Sequence, residues 1–78
     1  MTEAAKPLST WTLYDSPLDM PGFFVLRRWD IHAGDLKASP EAFWSKDVES
    51  LRDEMRKRGL YCIPRRPADE PHIVEVWL

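Results

Sequence analysis

The chain is 78 residues long, with 13 acidic and 11 basic side chains, a formal net charge of −2 and a 44% hydrophobic share. That length holds one domain with one core and buries only about 60% of the surface of the unfolded chain. The near-neutral charge gives no overall pull toward nucleic acid or membrane, and no apolar run approaches the ~20 residues that span a bilayer. The lone Cys62 excludes an internal disulfide and any multi-cysteine zinc motif. A soluble, cytoplasmic protein in a reducing compartment is the expectation.

Residues 1–10 are small or polar, lack a charged-then-apolar signal pattern and read as a flexible lead-in, leaving 11–78 as one domain. Trp11 to Tyr14 forms a short strand, followed by turn signals at Asp15-Ser16-Pro17 and Met20-Pro21-Gly22. Phe23 to Ile31 is the clearest strand and stops at Ala33-Gly34-Asp35. Phe23, Val25, Trp29 and Ile31 share a parity that Arg27 breaks, so Arg27 snorkels at a sheet margin or a bulge resets the phase.

Ser39-Pro40-Glu41 reads as an N-cap, a proline at N1 and a first-turn acid, with Ser45 as a second cap. Trp44, Val48, Leu51 and Met55 then fall on one stripe of a helix. Gly59-Leu60 predicts a Schellman stop, with Leu60 folding back toward Met55. Tyr61 to Arg66 is a strand that Pro64 confines to an edge or terminates, Pro67 to Pro71 is a rigid polar loop, and Ile73 to Leu78 is a central strand.

These elements predict an α+β fold: a small antiparallel sheet of three to four strands, order (β)-β-α-β-β, with one amphipathic helix on one face. Phe23, Phe24, Trp29, Val48, Leu51, Met55, Ile73, Val74, Val76 and Trp77 are the expected core. One helix covers one sheet face, yet two strands are apolar on both. The second face is covered by the N-terminal segment (Trp11, Leu13, Tyr14, Leu18, Met20) or by another chain.

Function follows two readings. The first is a protein–protein interaction or accessory module, a homodimer being one form of it, with Trp11, Tyr14 and Tyr61 as partner surface. The second is a nucleic-acid or anion-binding module in which Arg27/Arg28 and Arg65/Arg66 meet on one sheet and bind phosphates beside Trp29 and Tyr61. Asp30-x-His32, Glu70-x-His72 and Cys62 are ingredients of a metal or thiol site, but nothing in the sequence gathers them. There is no glycine-rich phosphate loop, His-Glu-x-x-His helix or nucleophile elbow, so no enzyme and no cofactor are expected.

The tail from Leu60 to Trp77, with its Pro-Arg-x-Pro turn at Pro64 to Pro67 and its Ile-Val-Glu-Val-Trp strand at Ile73 to Trp77, resembles the ends of small uncharacterised bacterial proteins. The resemblance covers about a quarter of the chain. It implies a bacterial, free-standing domain and carries no site residues with it.

Overall fold

The computed structural model describes residues 8–66 and 71–78. Five antiparallel strands form one sheet: β1 (Leu8–Asp15), β2 (Phe24–His32), β3 (Asp35–Ser45), β4 (Cys62–Pro64) and β5 (Ile73–Trp77). One helix, α1 (Val48–Lys57), lies between β3 and β4 in the chain. The strand order across the sheet is β3-β2-β1-β5-β4.

This corrects the expected three-to-four-stranded α+β architecture and its order. Five strands and one ten-residue helix make a mostly-sheet protein. The difference lies in residues 35–45, where a helix start was expected and the chain forms the longest strand. Ala33 and Gly34 both take positive φ, 52° and 85°, which is the backbone of a two-residue hairpin turn. The turn sends the chain straight back along β2, with His32 opposite Asp35 and Ile31 opposite Leu36.

Pro40 is tolerated because β3 is an outer strand, where a missing ladder donor costs little. The β2–β3 register shifts between Arg27 and Trp29, so that Ser39, Pro40 and Glu41 of β3 lie opposite Arg28 alone. The two extra residues leave the alternation in phase, so the suggested phase reset does not occur and Arg27 stays on the face of Val25 and Trp29. β2 itself pairs with β1 without a break from Leu8–Ile31 to Asp15–Phe24.

The helix begins at Asp47, whose side chain accepts a hydrogen bond from the Glu49 amide. It ends in the predicted Schellman motif: the Leu60 amide donates to Met55 O at 3.2 Å and the Gly59 amide to Arg56 O at 2.9 Å. Gly59 supplies the required positive φ of 75°. β4 occupies an edge, as Pro64 requires, and pairs with β5.

The core forms between α1 and one sheet face, from Trp11, Leu13, Leu26, Leu51, Met55 and Trp77. Phe24, Phe43, Val48, Leu60 and Val74 pack around it. Trp11, expected on the surface, is 3% exposed. It stacks on Phe43 with ring centroids 5.3 Å apart, and the Arg58 guanidinium lies over both rings. β1 is the middle strand, so alternate residues of it enter the core. Residues 8–10, read as part of the lead-in, are the first residues of this strand, opposite Ile31, Asp30 and Trp29. Residues 1–7 of the lead-in and 67–70 of the predicted polar loop lie outside the described residues.

Candidate interaction surface

Residues directly opposite one another in an antiparallel sheet share a face, so the registers assign each face. The helix-side face carries the core and most of the sheet's charge. Arg52 of α1 places Nε and Nη2 each 3.1 Å from a carboxylate oxygen of Glu75. Trp77 Nε1 donates to the same carboxylate at 2.8 Å. Glu75 is thus a buried acid with three good donors, and Glu49 adds a further bond to Arg52 at 2.6 Å. Hydrogen bonding by Glu75, then Glu49, raises the Arg52 guanidinium above its ordinary pKa. The Cys62 thiol is pushed up by burial and by Glu75 beside it.

Asp30 accepts from Ser9 Oγ at 2.8 Å and Arg28 Nε at 2.9 Å, and those bonds hold its carboxyl below the usual range. Arg28 also pairs with Glu41. Both of its partners lie on the helix side.

Among the described residues the opposite face has no helix. Its residues form four cross-strand rows: Leu36–Ile31–Leu8, Ala38–Trp29–Thr10, Ala42–Arg27–Thr12–Val76–Ile63 and Trp44–Val25–Tyr14–Ile73. Arg27 is the one charged residue in these rows, and it pairs with Asp19 of the β1–β2 loop. That loop, residues 16–23, lies against the end of the face nearest Tyr14. Its Pro17, Leu18 and Asp19 line a depression of about 520 Å³ together with Tyr14, Arg27, Trp29 and His72. His72 closes the margin, with its carbonyl accepting from the Asp15 amide and its Nδ1–H donating to Asp15 O.

Cover is uneven along the face. Val25 beside the loop is fully buried, whereas Leu8 is 55%, Trp44 57% and Leu36 61% exposed. Leu18, expected to help cover the face, is 91% exposed. Leu13 and Trp11 face the helix side and cover nothing here. The N-terminal segment therefore does not close the far face among the described residues. Of the expected core, Trp29, Ile73 and Val76 belong to this outer face, and Phe23 lies under the Lys46 ammonium at 5.4 Å.

The proposed anion site is not assembled. Arg27 and Arg28 are consecutive strand residues and point to opposite faces. β2 and β4 share the sheet but are separated by β1 and β5, so their Cα positions stand roughly 14 Å apart at ~4.8 Å per strand. Arg65 and Arg66 follow β4, with Arg66 beside Ile63 and Val76. Tyr61 is exposed at the β4 edge, exchanging backbone hydrogen bonds with Leu78, and Tyr14 is half-buried in the far face. No group of three or more His, Cys, Asp or Glu able to hold a metal occurs among the described residues, and Glu70 lies outside them.

On sequence Leu8 falls in the lead-in and Trp44 on the helix stripe, and Leu36 has no element, so none of the three stands among the expected surface residues. The alternation Leu8-x-Thr10-x-Thr12-x-Tyr14 carried the signal for the first. No helix of the described residues is long and apolar enough to cross a membrane. The chain matches no protein-family model, no curated protein and no solved structure.

Proposed function

We propose that the protein is a protein–protein interaction module whose contact surface is the helix-free sheet face. One observation carries this reading: the row Leu36–Ile31–Leu8 and the neighbouring Trp29 form an apolar end of the sheet with no charged side chain and no covering element among the described residues. Contiguous exposed apolar surface on a small domain marks a place where another surface binds. Trp and Tyr enrichment with depletion of charge is the composition of an interface centre.

The anion-binding alternative draws no support from the geometry, since Arg27 and Arg28 are each engaged by acids on opposite faces. Site-specific photo-crosslinking in the source cell tests the interaction reading. A benzophenone side chain at position 36 or 44 should capture a discrete protein adduct, and one at Lys57 on the helix should not. Equal capture from both faces, or none from positions 36 and 44, overturns it.

A further inference from the structure

We infer that the partner for this face is a second copy of the same chain, bound face to face about a two-fold axis. The inference rests on the interaction reading above and specifies its occupant. An isologous contact requires a surface complementary to itself. This face has that relief. Its Tyr14 end is raised by the loop with Leu18 projecting from it, and its Leu8 end is bare among the described residues. Val25 under the raised end and Ile31 in the bare row are six residues apart on β2, roughly 20 Å at ~3.4 Å per residue. A half-turn places the raised end of each copy over the bare end of the other. Leu18 then packs on the Leu36–Ile31–Leu8 row of its partner.

Charge agrees with a copy as occupant. Arg27, the one charge in the rows, is neutralised within its own chain by Asp19. Two such faces meet without like-charge repulsion and without a charge left unpaired. The face offers a basic or acidic partner nothing complementary. Its extent is also suitable. β1, β2 and β3 outline about 27 by 10 Å, and the shorter β5 and β4 flank only part of that length, for on the order of 350–400 Å² in projection at ~3.4 Å per residue and ~4.8 Å per strand. Standard interfaces bury ~800 Å² per partner, so this contact belongs with the small, reversible ones.

Sedimentation equilibrium of the purified full chain from about 1 to about 500 μM tests it. The mass should rise from 9.1 kDa toward twice that value. Leu18→Glu and Leu36→Glu should each weaken association about 100-fold, because a carboxylate then enters an apolar contact. Lys57→Glu on the helix should leave it unchanged. Both Leu side chains are largely exposed in one chain, so far-UV circular dichroism should show each variant folded.

A mass of 9.1 kDa throughout overturns the inference, as does a dimer indifferent to both Leu variants. A monomeric chain that still yields a foreign adduct from position 36 in the cell overturns the copy and leaves the interaction reading standing. An adduct formed within one chain, or none, overturns both.

Discussion

Arg52 on α1 grips both carboxylate oxygens of Glu75 on β5, with Nε and Nη2 at 3.1 Å each. This pair ties the helix to the sheet away from the β3 side, and Trp77 Nε1 completes it from β5 itself. Removing Arg52 leaves a buried carboxylate with one indole donor. Arg52→Ala should cost about 2–3 kcal/mol in urea unfolding, below the ~3–5 kcal/mol of a fully buried pair because the Arg52 side chain is 28% exposed. Glu75→Gln keeps an acceptor and should cost less. A double-mutant cycle that finds no coupling between the two positions contradicts this account.

The helix N-terminus separates two readings of the same residues. Asp47→Ala removes the acceptor for the Glu49 amide and should destabilise by about 1 kcal/mol. Ser39→Ala alters a bond to the Glu41 amide in an exposed outer strand and should change stability by under about 0.5 kcal/mol. Chemical denaturation of the two variants measures both, and the reverse order would restore the cap at Ser39.

The β2–β3 turn is improvable. Ala33 at φ 52° is in the left-handed region, which asparagine occupies more readily. Ala33→Asn should raise stability by about 0.5 kcal/mol, and Gly34→Ala should lower it by about 1 kcal/mol. A Cβ at Gly34 would meet nothing within 4 Å, so the loss there is backbone strain alone. Thermal melts of both variants would show opposite shifts.

Acid stability depends on Asp30 and Glu49. Ser9 and Arg28 lower the first carboxyl, and Arg52, then Arg56, lower the second. A carboxyl with a depressed folded pKa stabilises the fold above its unfolded pKa, and that contribution fades as pH falls through the folded value. Stability should therefore decline as pH drops below the ordinary carboxylate range. Asp30→Asn and Glu49→Gln should each flatten that acid limb when unfolding is followed against pH.

Cys62 should alkylate slowly at neutral pH although its residue is exposed, because burial of the thiol and the adjacent Glu75 hold it protonated. The pH profile of its reaction with iodoacetamide should lie above that of free cysteine. Glu75→Gln should move the profile part of the way down.

Local chemistry was legible in the sequence where a few neighbouring residues settle the backbone. Gly59-Leu60 ends the helix as read, since a positive φ at Gly59 and an apolar Leu60 suffice for a Schellman motif. Val48, Leu51 and Met55 face the core at helical spacing. Pro64 places β4 at an edge, and β4 pairs with β5 across a short connection.

Only tertiary structure decided between alternatives that local chemistry leaves equal. Ser39-Pro40-Glu41 suits a helix start and an outer strand alike, and the choice came from pairing with β2 across Ala33-Gly34. That pairing is a cooperative gain spread over eleven residues of β3, which no short window records. Trp11 became core and Trp44 became surface for the same reason: a strand side chain's face follows from register. The face left uncovered among the described residues follows too. One ten-residue helix cannot shield both sides of a five-stranded sheet, and strand order determined which apolar residues it leaves outside.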